Sequence, residues 1–369
     1  MKRYLLLLFL LPAALAWNPN CINKPVGFGY RTTGGAGGRT VTPRNIDELR
    51  KYLYSKEKLI INLDRTYDYT YSEGTVKATG CFFQKCGRNN YQQSLSGRGT
   101  CHGRPHTTVT YHKAGLSELW ISSHKTIMSS NGRGVIKGKG IRVKDAQNVI
   151  IRDITITDIN PEVIWAGDAI GLDNVQNVWI HRVTTRRIGR QHLVTFQKTN
   201  KGITVSSCFF DGTSPHSAYC DNKHYWVWIF FGTHDEITLI NNHVLNTAGR
   251  TPHTGGWSGA QNYVHMIYNT MDVNPHTGIE ANQGARILSE GNLFIKYANP
   301  VAPFSRGGVL AMVNDNKLAQ RCRGYFGQNC AVNKYSGSKV TYRWDETVLS
   351  QFSHLDKNAI NSARNARCL

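Results

Sequence analysis

Residues 246–253 read NTAGRTPH, and Arg250 stands there on a glycine-containing bend just after the apolar alternation of Ile237, Leu239 and Val244. A guanidinium stays protonated at almost any pH, so Arg250 reads first as an anion clamp and only with difficulty as a general base. Two further stretches carry related chemistry: WAGDAIGLDN (165–174), with Asp168, and RRIGRQH (186–192), with Arg190. A carboxylate and two guanidiniums, if brought together, would form a constellation more specific than any one of these residues. The bland readings are a turn aspartate for Asp168 and a carboxylate-positioning role for Arg250. His192, next to apolar Leu193, reads as a satisfied structural histidine.

The whole chain narrows the substrate. Its 369 residues hold 44 Lys and Arg against 24 Asp and Glu, a formal charge of +20. Such a surface attracts polyanions. Residues 1–16 run from a basic start through a short apolar stretch to Ala14-Leu15-Ala16, the pattern of a secretory leader cleaved after Ala16. We therefore expect a secreted, extracellular protein without a membrane span. A secreted chain without an RNP, zinc-finger or helix-turn-helix pattern points to an acidic polysaccharide and away from nucleic acid. Residues 17–369 contain no Pro/Ser-rich linker and read as one domain, expected to be monomeric. The nine cysteines suit an oxidising compartment, with at least one thiol left over, and none has the C-x-x-C spacing of a zinc site. No N-x-S/T acceptor is present.

The elements that must position these side chains form a repeat without a strict period. NVIIRDITITDI from Asn148, NVWIHRVTTRRI from Asn177, GITVSSCFFDG from Gly202, EITLINNHVLNT from Glu236, YVHMIYNTMDVN from Tyr263 and ARILSEGNLFIKY from Ala285 are each strand-like, and second runs include DAIGLDNV, HLVTFQKT and YWVWIFFG. Period-two alternation without intervening helical patterns excludes a βαβ fold. Variable insertion at one turn predicts an all-β, right-handed, single-stranded parallel β-helix. A β-sandwich would need tight hairpin signals, which are sparse here. Cys208, Asn242, Asn269 and Asn292 fall at one place in successive runs, two residues before Phe210, Val244, Met271 and Phe294. That predicts an asparagine stack along the axis and makes Cys208 a structural thiol. Upstream, a helix opening at Asn45 with Glu48 as a capping-box pair can close the end of the solenoid. The last stretch, DKNAINSARNARCL, reads as a helix packed on the outside. On this register Asp168, Arg190 and Arg250 come to one flank of successive coils.

With those residues aligned, the chain closely resembles the fungal-type pectin lyases of polysaccharide lyase family 1. The matching stretches are GTVKATGC, GVIKGKGIRV, ITDINP, GDAI, VWIHRVTTRRIGRQH, the HYW ending at Trp226 and the GRTP containing Arg250, spread from about Val26 to the C-terminal region. The resemblance implies β-elimination on methyl-esterified galacturonan, with Arg250 at the place of the base and Arg190 and Asp168 organising the substrate carboxyl. It places Trp165 and Trp226 among the cleft aromatics, against the alternative of plain core tryptophans. His253 falls where the family tends to carry a lysine, and it either binds a substrate carboxyl oxygen or faces water.

The resemblance also bears on metal. Related pectate lyases place acidic calcium ligands at positions matching Asp168, Arg190 and Val194, of which only Asp168 is acidic here. Calcium takes six to eight oxygens, so a guanidinium in their midst implies a site with no metal and no cofactor. The family's WIDH reads WIHR, with His181 in place of an aspartate, and the stretch from Cys81 to Cys101 has Phe82, Phe83 and Tyr91 but no tryptophan. A more basic, less indole-rich cleft would favour less methylated pectin. The resemblance implies disulfides Cys81–Cys101, Cys86–Cys220 and Cys322–Cys330. Cys21, Cys208 and Cys368 remain, and Cys21 can pair with Cys368 if the termini meet. Two alternatives stay open: a calcium-dependent pectate lyase, and a non-catalytic β-helix that binds pectate through its basic surface.

Overall fold

The computed structural model describes residues 17–87, 91–97 and 99–368, so the expected leader lies outside the described residues. The strands wind into a parallel β-helix with three faces. The first stacks Leu119–Ile121, residues 141–143, residues 170–172, Leu193–Thr195, Trp228–Phe230, His253–Thr254 and residues 280–281. The second runs from Arg39–Val41 and Leu59–Asn62 through Lys125–Met128 and residues 149–152 to Ala285–Glu290 and Val309–Met312. The third runs from Thr66–Asp68 to Lys334–Ser336. Every pairing in the three faces is parallel, so successive coils lie about 4.8 Å apart.

The inward positions explain why this sequence coils. On the second face Ile61, Ile127, Ile151, Ile180, Val205, Leu239 and Met266 stand in one register column, each at most 1% exposed. A single strand cannot bury such a row; stacking buries it between neighbours above and below. The asparagine stack sits at the turn into the third face. Asn242 Nδ2 donates to Asn269 Oδ1 at 2.9 Å, Asn269 Nδ2 to Asn292 Oδ1 at 2.9 Å, and the row continues to Asn333 at 3.2 Å. The backbone NH of Cys208 heads the row, donating to Asn242 Oδ1. Cys208 itself is an unpaired thiol, buried at 0% exposure, and burial pushes it up to about 12.

The two terminal helices form as their sequences suggest, with one difference. The helix Ile46–Tyr54 begins at Asn45, whose side chain accepts from the NH groups of Asp47 and Glu48, while Glu48 reaches past Asn45 to the NH of Arg44. The cap is therefore made, but the reciprocal half is displaced by one residue. The helix Lys357–Asn365 packs outside the solenoid, along the second face. Its Arg364 Nε meets Glu290 Oε1 at 2.8 Å, and His265 Nε2 meets the same oxygen at 2.8 Å. All four disulfides match the expected pairs, including Cys21–Cys368, which ties residues 347 apart in sequence.

The segment from Cys81 to Cys101 belongs to a small separate sheet. Thr75–Lys85 pairs antiparallel with both Tyr91–Leu95 and His106–His112, and Val163–Ile164 joins this small sheet in parallel. Its alternation, as in Thr75, Lys77 and Thr79, places polar residues outward on an excursion with little core of its own, so the apolar signal that marks the coils is missing.

Candidate active site

The residues of interest sit immediately before the strands of the first face. Asp168 precedes Ile170, Arg190 precedes Leu193, Trp226 precedes Trp228 and Arg250 precedes His253, and each turn hands a hydrogen bond to the next. The Ala169 NH donates to the Gln191 carbonyl at 2.9 Å, the His192 NH to Trp226 at 3.2 Å, and the Trp228 NH to Arg250 at 2.9 Å. The ladder thus orders Asp168, Arg190, Trp226 and Arg250 on one flank, one coil apart. Arg250 holds its turn in the left-handed region, at φ 50°.

Within that row the structure makes two groups. Arg190 Nη1 lies 3.3 Å from Asp168 Oδ2, and Asp168 Oδ1 accepts the Gln191 NH at 2.9 Å. Burial, which outweighs the Arg190 charge, raises the Asp168 carboxyl above its ordinary value. The Arg190 guanidinium carbon stands 4.7 Å from the centre of the Trp165 ring, and Trp165 lies 5.8 Å from Trp226. Arg250 belongs to the second group. Its guanidinium carbon is 5.7 Å from the Tyr225 ring centre, its Nε is buried with no protein partner, and among the described residues it forms no ion pair. Two coils separate it from Arg190, roughly 10 Å. The expected meeting of all three charges is therefore a row: one carboxylate joined to one guanidinium, and a second guanidinium standing apart where a substrate group fits between them.

Trp226 needs a correction of emphasis. It is 5% exposed and packs with Ile164, Ala218, Phe83 and Trp165, so most of its ring is wall rather than contact surface. Trp165 is more open and its indole nitrogen has no hydrogen-bond partner. His253 is 21% exposed at its side chain, and its Nδ1 donates to the Glu280 carboxylate at 2.5 Å. A carboxylate only accepts, so Nδ1 carries the hydrogen and Nε2 remains as the ring's other polar atom.

Three neighbours of the row were not singled out from sequence. His224 is buried, and its Nε2 donates to the carbonyls of Arg190 at 2.5 Å and Trp226 at 3.1 Å, which fixes its tautomer and pins both backbone turns. Burial pushes its imidazole down to about 4, so it does this uncharged. Tyr225 supports Arg250 with its ring and donates its hydroxyl to Glu280 at 3.3 Å. Burial, aided by the Glu280 charge, raises the phenol. Glu280 is 4% exposed at its side chain, one coil above His253. The HYW motif pointed at two of these; nothing local marks Glu280, whose partner lies in another coil. His192 is buried beside His224, 5.0 Å between rings, and its ring Nδ1 shares a hydrogen bond with the Thr185 hydroxyl, as a structural histidine should. His181 likewise is buried, stacked 4.6 Å from Trp179, and bonded to Ser206.

At the places where oxygen ligands to a cation would stand, Val194 is buried and apolar and Arg190 supplies a positive charge beside Asp168. Among the described residues no three His, Cys, Asp or Glu side chains are gathered as a metal would need. No helix among them is long and apolar enough to cross a membrane.

No protein-family model matches this sequence. Probable pectin lyase B of Aspergillus fumigatus is 38% identical over 331 residues, covering 88% of this chain and 86% of that protein. Probable pectin lyase B of Aspergillus niger is 37% identical over 342 residues, covering 89% and 86%. Among solved structures, a pectate lyase bound to hexasaccharide aligns with a TM-score of 0.56 at 16% identity, over 96% of this chain and 97% of that one. A pectate lyase from Bacillus sp. N165 in complex with trigalacturonate aligns with a TM-score of 0.53 at 18% identity, over 89% and 97%. At such identities the structural likeness is one of fold, the parallel β-helix.

Proposed function

The chain belongs to the pectin lyase family and is a polysaccharide lyase, and from that premise we propose that it is a secreted, monomeric enzyme that cuts methyl-esterified galacturonan internally, without calcium. The neutral form of Arg250 takes the C5 proton. The electron pair left behind forms the C4–C5 double bond, the C4–O4 bond breaks, and the departing oxygen takes a proton from water. Arg190, oriented by Asp168, polarises the carbonyl at C6 and so acidifies C5. Trp165, Trp226 and His253 line the sugar's approach, Trp226 mainly as support for Trp165.

The observation that carries this reading is the split row: Arg190 is joined to Asp168 at 3.3 Å, whereas Arg250 is uncommitted to any described carboxylate. A guanidinium already neutralised by a carboxylate positions a substrate; one without such a partner is available to react with it. An ester supports the same assignment, because its carbonyl acidifies C5 without the cation that a free carboxylate calls for. Independence from calcium is supported by the donor set, in which only one of three corresponding places carries a carboxylate and another carries a guanidinium. Secretion rests on the leader-like residues 1–16 and on four disulfides.

The test is the near-ultraviolet absorbance of unsaturated product from highly methylated pectin and from polygalacturonate, each with calcium and with chelator. Product from methylated pectin in chelator is expected. Product only from polygalacturonate with calcium would replace this reading with that of a pectate lyase.

A further inference from the structure

One register column of the first face runs through Trp120, Arg142, Gly171, Val194, Ile229, His253 and Glu280, with Val194 and Glu280 buried. His253 marks the reacting end. The other end opens beside the capping helix into a cavity of about 370 Å³, with Arg50, Tyr54, Leu116, Trp120, Lys139 and Arg142 among its walls. Three of these are apolar and open: Trp120 is 48% exposed, Tyr54 46% and Leu116 42%. Trp120 and Tyr54 stand 6.4 Å apart with their planes tilted by 37°, and the Lys144 ammonium is 4.5 Å from the Trp120 ring centre.

The charges in this cavity are already matched. Arg50 pairs with Asp47 at 2.6 Å, Arg142 with Glu118 at 2.6 Å, and Lys139 with Glu73, whose other oxygen takes the Ser117 hydroxyl. A uronate carboxylate entering here would meet lining cations that each hold a partner, with Lys144 on the Trp120 face as the exception among the described residues. A sugar ring with an esterified, uncharged carboxyl would meet an indole, a phenol and a leucine side chain, the mixture of flat apolar faces and fixed polar groups typical of small-ligand cavities. Folding gives no reason for the indole to be open, since burying such a side chain is favourable.

We propose that Trp120, with Tyr54 and Leu116, is a remote subsite for a methyl-esterified galacturonosyl unit of the same chain that is cut beside Arg250. The proposal rests on the elimination reading above and adds to it where the chain is held. Five ladder steps separate Trp120 from His253, about 24 Å, so only a chain of several sugar units reaches both places. The subsite therefore favours internal cuts in long esterified stretches.

The experiment compares wild type with Trp120→Ala, Trp120→Phe and Tyr54→Ala on esterified polymer, on esterified oligomers too short to span the groove, and on polygalacturonate, by rate of unsaturated product and by retardation in pectin-containing gels. The expected result is a loss of kcat/KM that grows with chain length, roughly three- to tenfold on esterified polymer for Trp120→Ala and carried by KM. Trp120→Phe recovers most of it, and gel retardation weakens in parallel. An equal loss on short and long substrates, or no loss on the polymer, would overturn the remote subsite. Absence of unsaturated product from the wild type itself would instead overturn the elimination reading, and this proposal with it.

Discussion

Replacing Arg190 by Met and Asp168 by Asn, singly and together, tests whether these two side chains act as a unit. Their charges are 3.3 Å apart, and the side chains are 16% and 5% exposed. In bulk water that separation gives about 1 kcal/mol of attraction; at the effective dielectric constant near 20 that suits protein sites it gives about 5 kcal/mol. Most of this offsets the cost of taking both charges out of water. The Gln191 NH, 2.9 Å from Asp168 Oδ1, stays in either variant and bears part of the carboxylate's burden. Arg190→Met should therefore cost about 3 kcal/mol, by leaving a buried carboxylate with one donor, and the double variant should cost less than the sum of the singles by about 2 kcal/mol. The assay is urea unfolding of all four proteins with their disulfides intact, at neutral pH. Costs that add to within about 0.5 kcal/mol would refute the pairing, and with it the claim that Asp168 orients Arg190.

Arg250→Ala should lower kcat about a thousandfold. It should move the unfolding midpoint little, because the guanidinium's protein contact is the Tyr225 face at 5.7 Å; a large loss of stability would mark Arg250 as structural. Glu290 lies beside Arg364 and His265; burial pushes its carboxyl up, but these partners outweigh burial and bring it from 4.5 to about 2. A carboxyl lowered on folding stabilises above its unfolded value, so a contribution of about 3 kcal/mol present above pH 4.5 should fade as pH falls toward 2. Glu290→Gln should accordingly flatten the fall of thermal midpoint across that window, and an unchanged slope would contradict it. Serine at both Cys21 and Cys368 opens a loop whose ends are 347 residues apart, which on chain-entropy grounds costs roughly 6 kcal/mol and should appear as a lower urea midpoint.

What the sequence discloses follows the reach of each signal. The coils are legible because each one repeats an apolar alternation within a few residues, and Asn242, Asn269 and Asn292 are legible because the repeat carries them with it. Asn333 completes the same row, but the helix Asn316–Phe326 intervenes between it and Asn292 and breaks the pattern. The sheet from Thr75 to His112 escapes notice because it stands outside the coils and alternates over little core. In the site, Arg250, Arg190 and Asp168 declare themselves by residue type and motif, yet their division into a bound pair and a separate guanidinium depends on a spacing of coils. Glu280 meets His253 for the same reason: a register one coil long brings together residues that no local pattern connects. His224 and Tyr225 sit within a motif, but their duties appear only when the carbonyls of Arg190 and Trp226 and the guanidinium of Arg250 are in place.

The central claim is that this row of side chains breaks galacturonan by elimination. The most direct measurement is mass spectrometry of fragments released from methyl-esterified pectin in water enriched in heavy oxygen, with chelator present. Elimination predicts fragment pairs whose masses sum to that of the parent, one of them unsaturated, and no heavy oxygen in either when they are read before the reducing ends exchange oxygen with solvent. Saturated pairs that have together gained one water carrying the label would show hydrolysis and contradict the account.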